Sequence, residues 1–226
     1  AEDRQAKTII EQGNKLMKGL NRIIENRENF EKFAKLNRLE PSFVAAVALT
    51  EYLDMAEGEE FDDLWGSFMK DTSNGLMQVG TDTYKELYGK LYSLMPSPAA
   101  AWLLRNDTRN IKAGAKYLRV IAGSNKLPTD SRYWPYEDRL KVASRYTSSK
   151  FYSEALEKSI LNLNNGQTPF PNYLGTKDEK GRRNPLEHVV YAHIVFETQK
   201  LLKKLELFSS SSVAASPKPT VLDTVT

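Results

Sequence analysis

Apolar residues recur at helical spacing along most of the 226-residue chain. A more continuously apolar helix is predicted from Pro41, which suits a first helical turn, to about Tyr52. No segment alternates as a half-buried strand would, so the pattern predicts an all-α or nearly all-α fold. Before Pro41, residues 3–37 carry apolar side chains on one helix face and charges on the other, which predicts one or two amphipathic helices: Ile9, Ile10, Leu16, Met17, Leu20, Ile23, Ile24, Phe30 and Phe33.

Further helices are predicted after an acidic, irregular stretch at 54–70. Ser97 suits a cap with Pro98 just inside the helix, and Asp107 or Thr108 suits the cap of the next helix, which stops near Gly123. Asn184-Pro185 opens a long last helix, and the Asn-, Gly- and Pro-rich segment before it is predicted to be a loop. The predicted ranges are 81–91, 99–105, 107–121, 136–146, 151–161 and 184–208, with the loop at 164–183.

The pattern divides the chain into three parts. Residues 1–40 are predicted to form the N-terminal amphipathic helices, and residues 41–208 the main domain. Residues 209–226 hold Ser, Ala, Pro and Thr with little patterned apolar surface, which is typical of a disordered tail or linker.

Composition narrows the class of protein. With 40% apolar and 27% charged residues the chain is typical of a globular protein, and no window approaches the roughly 18 apolar residues of a membrane helix. A net charge of +3 without a basic, aromatic-interleaved run argues against nucleic acid. The absence of cysteine excludes disulfides and thiol chemistry. The start Ala-Glu-Asp fits a mature exported chain or a trimmed one, with no signal peptide in the given sequence.

Four segments carry candidate chemistry in a fixed order. An apolar helix ends on a carboxylate at Val47-Ala-Leu-Thr-Glu51, and Gly75-Leu-Met-Gln-Val79 follows. Asn110-Ile-Lys-Ala-Gly-Ala-Lys-Tyr-Leu118 and Ala143-Ser-Arg-Tyr146 come next, with Glu187-His-Val-Val-Tyr191 as a weaker fifth segment. Their joint order resembles that of the lytic transglycosylases, a soluble, goose-type lysozyme-like family that cuts the glycan strands of peptidoglycan. The resemblance spans residues 41–195 and implies a lysozyme-like fold, with residues 41–208 as the catalytic domain.

The sequence departs from the family pattern in three places. Tyr52 stands where the family has Ser, and Thr147 stands where it has Asn. The interval between Glu51 and Gly75 is longer, with an acidic insert at 57–63. The substitutions put substrate contacts near the acid in doubt, and the insert suggests a reshaped rim of the groove.

The resemblance implies that Glu51 is the single catalytic residue. A glutamate that donates a proton near neutral pH must be desolvated, and Val47, Ala48, Leu49 and Met77 are residues of the kind that would do this. In the family the same carboxylate then acts as a base on the C6 hydroxyl of N-acetylmuramic acid (MurNAc). A 1,6-anhydro ring closes, so no second carboxylate is needed.

Six further residues are candidates for substrate binding. Met77 and Gln78 are expected to line the cleft, and Tyr146 to orient Glu51 by a hydrogen bond. A buried tyrosine that bonds only a backbone carbonyl is the alternative for Tyr146. Asn110, Gly114 and Tyr117 are expected to serve helix packing, with Gly114 allowing close approach, and a site role is the alternative for Tyr117. The remaining candidates, for which a salt bridge and a packed ring are an equal alternative, are Glu187 and Tyr191.

We therefore expect a lytic transglycosylase that cleaves the bond between MurNAc and N-acetylglucosamine (GlcNAc) in peptidoglycan strands, in the periplasm or secreted. No cofactor or metal is assigned, since His188 and His193 are five apart and lack an HExxH context. Protein partners stay unknown. One alternative is a lysozyme-type hydrolase, which needs a second carboxylate; a second is a non-catalytic wall-binding module. The candidate second carboxylates are Asp54, Asp62, Asp63 and Asp71.

Overall fold

A computed structural model describes residues 2–54, 73–147, 161–162, 165–166 and 185–208. Almost all of this part is helical, so the predicted all-α architecture is confirmed. None of its helices is long and apolar enough to cross a membrane. The helices are α1 Glu2–Glu25, α2 Arg27–Leu36, α3 Pro41–Asp54, α4 Thr81–Tyr88, α5 Lys90–Ser93, α6 Ser97–Leu104, α7 Asp107–Ser124, α8 Tyr136–Tyr146 and α9 Pro185–Lys204, with a 3-10 turn at Ser131–Tyr133.

Helix α3 is the centre of the core. Every residue from 42 to 50 is buried, because its sequence is apolar on all faces and other helices surround it. Helices α1, α2, α7 and α9 all pack on it. The carboxyl end of α3 is therefore held in position by most of the molecule.

The N-terminal helices share this core. Ile23 of α1 and Phe30 of α2 are completely buried in the same apolar cluster as α3. The Arg22 guanidinium donates to an Asp107 carboxylate oxygen at 2.7 Å, which joins α1 to the start of α7. Lys15 donates to the Leu53 carbonyl oxygen at 3.0 Å, near the end of α3. The division at residue 40 stays a prediction.

A half-buried ion pair fixes the opposite end of α3. The Glu40 carboxylate accepts from Arg139 of α8 and, at 2.8 Å, from the Gln199 amide of α9. Burial raises the Glu40 pKa, but the hydrogen bond and charge of Arg139, with Lys203, outweigh it and hold the pKa below its usual value. This network joins three helices at one carboxylate.

The Gly-Leu-Met-Gln run forms the turn of a short β-hairpin that has two residues in each strand. Strand β1, Ser73–Asn74, pairs antiparallel with β2, Val79–Gly80. The turn between them closes by a bond of 3.0 Å from the Gln78 amide to the Gly75 carbonyl oxygen. Gly75 has φ +75, and a Cβ there would lie 2.6 Å from Asn110 Cγ, so the turn requires glycine.

Several predicted boundaries differ from the structure. The helix expected at 81–91 is split at Gly89, whose φ of +81 ends α4. The cap of α7 is Asn106, whose side chain accepts from the Arg109 amide, rather than Asp107 or Thr108. Pro96 precedes α6, so Ser97 is a helical residue instead of its cap. The last helix ends at Lys204, earlier than the expected 208.

Other predictions concern residues outside those described. These are the acidic insert at 57–63, the helix at 151–161, nearly all of the loop at 164–183, and the tail at 209–226. They stay predictions.

Glycine at position 75 is expected to be far less replaceable than glycine at position 89. Both have positive φ, but a Cβ at Gly89 meets nothing within 4 Å. Gly89→Ala should cost only backbone strain, about 1–3 kcal/mol. Gly75→Ala adds a clash and should cost at least about 2 kcal/mol more. Equal losses of unfolding free energy in urea would show that the turn at 75–78 is not tightly packed.

The Glu40 network predicts acid sensitivity. A carboxyl whose folded pKa is depressed stabilises the protein above its unfolded pKa, about 4.3, and loses that contribution as pH falls through the folded pKa. Unfolding free energy between pH 5 and pH 3 should therefore fall more steeply in the wild type than in Glu40→Gln. Glu197→Gln, which removes the exposed pair with Lys200, should keep the wild-type slope. The same slope in all three proteins would contradict a depressed Glu40 pKa.

Candidate active site

Glu51 lies in the last turn of α3 and is partly exposed. Val47 and Ala48, one turn earlier on the same face, are completely buried. The carboxylate therefore stands at the edge of the core, with apolar residues beneath it and a solvent-accessible side. The catalytic role of Glu51 stays a prediction.

Met77 is held at three points by residues from the other motifs. Its amide donates to Asn110 Oδ1 at 2.6 Å, and its carbonyl oxygen accepts from the Tyr146 hydroxyl at 2.7 Å. Its side chain packs on Gly114, where an added Cβ would lie 2.7 Å from Met77 Cε. Gly114 thus allows a close approach, by the Met77 side chain of the hairpin rather than by another helix. The polar role of Asn110 was missed, although a fixed Asn in the motif could have indicated it.

The Met77 side chain has no exposed surface. It packs in the core, which is the alternative to lining the cleft. The direct sugar contact predicted for Met77 stays untested. Gln78 is partly exposed. The nitrogen of its side-chain amide, Nε2, donates to the Gly75 carbonyl oxygen at 2.8 Å. Part of that amide is therefore engaged within the turn.

Tyr146 does not donate the hydrogen bond to Glu51 that the resemblance implied. A phenol has one proton, and the Tyr146 hydroxyl gives it to the Met77 carbonyl oxygen. The Glu51 carboxylate is nonetheless close: burial first, and then the charge of Glu51, hold the Tyr146 pKa well above its usual value. Tyr146 thus fixes the hairpin turn beside the acid rather than the acid itself.

Tyr191 brings a second buried hydroxyl to Glu51. It lies on α9, which packs along α3. Burial, the charge of Glu51 and hydrogen bonding to Glu51 hold the Tyr191 pKa well above its usual value. Within the described ranges the hydroxyl has no hydrogen-bond partner of ordinary geometry. The contact with Glu51 is therefore a long or poorly aligned one.

Tyr117 completes the aromatic side of the site. Its ring centroid lies 5.4 Å from that of Tyr146, and its side chain is partly exposed. The structure thus brings Glu51, Tyr146 and Tyr191 together, with Tyr117 at the rim. The Glu187 side chain lies outside the described residues, and its role stays a prediction.

Of the candidate second carboxylates, Asp54 is described and is exposed, one turn after Glu51. Asp62, Asp63 and Asp71 lie outside the described residues. Among the side chains that are described, no group of three or more His, Asp or Glu is placed to hold a metal ion.

Residues 3–123 match the family model described as "T6SS, Peptidoglycan muramidase Tse3, catalytic domain". The match covers more than half of the 226 residues. The chain belongs to this family. No curated protein matches the chain.

Family membership establishes a lysozyme-like, peptidoglycan-cleaving enzyme domain, which therefore acts outside the cytoplasm. It confirms that the substrate is peptidoglycan and that the domain is an enzyme that cleaves it. The matched range includes α1 and α2, which lay outside the resemblance, as well as Glu51, the hairpin and most of α7. It ends before Tyr146 and Tyr191.

Replacing Tyr146 and Tyr191 by Phe is expected to have different effects on stability and turnover. Tyr146→Phe leaves the buried Met77 carbonyl without its donor, which should cost about 1–3 kcal/mol of unfolding free energy. Tyr191→Phe removes a hydroxyl without an ordinary partner, so stability should be unchanged or higher. Its turnover on purified sacculi should fall, because the donor beside Glu51 is lost. A destabilised Tyr191→Phe with wild-type turnover would assign Tyr191 to the core alone.

Proposed function

We propose that the chain is a lytic transglycosylase in which Glu51 cleaves the MurNAc–GlcNAc bond. Glu51 first donates a proton to the leaving glycosidic oxygen. The resulting carboxylate then removes the proton from the C6 hydroxyl of the same MurNAc, whose oxygen attacks C1. The products are a 1,6-anhydromuramyl end and a free GlcNAc hydroxyl, with no water consumed.

The geometry around Glu51 supports a mechanism with one carboxylate. Among the described residues, the Tyr191 hydroxyl lies beside Glu51, while the Tyr146 hydroxyl is bonded to the Met77 carbonyl oxygen. A hydroxyl next to an acid can stabilise its ionised form and fix its direction without adding a competing charge. The partly exposed side of Glu51 leaves room for a sugar to approach.

A hydrolytic muramidase is the second candidate. The family description uses the word muramidase. Asp54 lies one helical turn after Glu51, and its charge contributes to the raised Tyr191 pKa, so it lies in the same neighbourhood. A second carboxylate at this range could activate a water molecule.

The first test of this proposal is Glu51→Gln. The amide keeps the size of the side chain but can neither give nor take a proton. General acid–base catalysis contributes about 10²–10⁴-fold, so turnover on purified sacculi should fall by at least about 100-fold. Melting temperature should stay equal or rise, since a partly buried carboxylate is neutralised. Glu197→Gln, an exposed carboxylate on α9, is the matched control and should keep full activity. Retention of more than a few per cent of activity by Glu51→Gln would remove Glu51 from the mechanism.

Product mass separates the two reactions. We expect muropeptides that lack one water relative to reducing ends, and we expect Asp54→Asn to retain most activity. Mass spectrometry of material released from sacculi measures both. Reducing ends together with an inactive Asp54→Asn would assign the hydrolytic mechanism.

A further inference from the structure

Arg145 is a cation beside the candidate site that the mechanism does not use. It lies in the last turn of α8, directly before Tyr146, and is partly exposed. Across residues 2–54, 73–147 and 185–208 no hydrogen bond or ion pair involves its guanidinium. A guanidinium is always charged and offers five donors, so this one is available to a ligand or to water.

Arg145 lies near Tyr117, at the rim of the site. Burial raises the Tyr117 pKa, and the positive charge of Arg145 opposes that effect, so the two groups are neighbours. The Tyr117 ring in turn contacts the Tyr146 ring. Arg145 is therefore close to Tyr117 and directly precedes Tyr146, the two tyrosines on the aromatic side of the site.

Helix α7 carries two lysines close to Tyr117 along the chain, Lys116 and Lys112. Lys116, next to Tyr117, donates to the Leu87 carbonyl oxygen at 2.5 Å and lies 4.5 Å from the Tyr88 ring centroid. Lys112, one turn earlier, is exposed and lies 5.9 Å from the same centroid. Arg145, Lys116 and Lys112 are together called the cationic rim, because Arg145 neighbours Tyr117, Lys116 directly precedes Tyr117, and Lys112 lies one helical turn from Lys116. Glu86 is the acid whose charge is also felt at Tyr117.

The substrate supplies matching charges close to the bond that is cut. In peptidoglycan each MurNAc carries a peptide stem on its lactyl group, and the stem bears free carboxylates. Arginine binds carboxylates through paired, charge-assisted hydrogen bonds, which lysine reinforces as a point charge.

We propose that the cationic rim, with Arg145 as its main contact, binds stem-peptide carboxylates and makes peptide-bearing glycan the preferred substrate. This inference rests on the proposed function, because it places the scissile bond at Glu51. Arg145 is then a specificity-determining residue that acts on binding and leaves the chemistry of bond cleavage unchanged.

A different role for Arg145 would be to stabilise the α8 carboxyl terminus, where a cation favours the helix dipole. That role predicts a loss of stability with no distinction between substrates. The two roles therefore differ in a measurement that can be made on the same variants.

The experiment compares Arg145→Gln and Arg145→Lys with the wild type on three substrates. These are intact sacculi fragments, the same glycan stripped of stems by an amidase, and fragments whose stem carboxylates have been converted to neutral amides. Arg132→Gln is the matched control, because Arg132 is an exposed arginine that pairs with Asp130. It feels the charge of Glu40, which is at the opposite end of α3 from Glu51. Melting temperature is recorded for each protein.

On intact fragments, Arg145→Gln should lower kcat/KM by about tenfold, mainly through KM, as expected for loss of a charge-assisted hydrogen bond. On stripped or amidated glycan its kcat/KM should match the wild type within about twofold, and Arg145→Lys should recover part of the loss. Equal losses on all three substrates, or no loss on any, would overturn the inference while leaving Glu51 untouched. Failure of the proposed function would instead appear as full activity of Glu51→Gln.

Discussion

The three contacts that hold Met77 in place are the constraint on which the candidate site depends. Its amide is bonded by Asn110, its carbonyl by Tyr146 and its side chain is enclosed at Gly114. An unpaired buried amide or carbonyl costs about 1–3 kcal/mol, so each partner is needed once the turn is buried. These bonds connect the hairpin, α7 and α8, and place all three beside the end of α3.

The burial of α3 supplies the other half of the arrangement. Because helices surround α3 on its faces, its position is set by the core rather than by the site. The Glu40 network fixes one end, and Glu51 emerges at the other. The acid is thus presented by a rigid element, as a catalytic group that must point at one oxygen requires.

Much of this arrangement could be predicted from the sequence because it depends on local patterns. Helical spacing of apolar residues predicted α1 to α3 and α8, whereas the hairpin turn formed by the Gly-Leu-Met-Gln run was not predicted. The partners of polar side chains could not be predicted, since they depend on how helices meet. Tyr146 bonds Met77 rather than Glu51, and Asn106 rather than Asp107 caps α7. The position of Tyr191 beside Glu51 likewise follows from the packing of α9 on α3.

The separate sequence motifs form one structural unit, in which Asn110, Gly114 and Tyr146 hold the turn that borders Glu51. Amide hydrogen exchange at Met77 tests this most directly, because its N–H is bonded to a buried side chain rather than to a helix or sheet. We expect the Met77 amide to be among the slowest to exchange in the wild type, and we expect Asn110→Ala to speed its exchange far more than that of the α3 amides. Rapid exchange of the wild-type Met77 amide would contradict it.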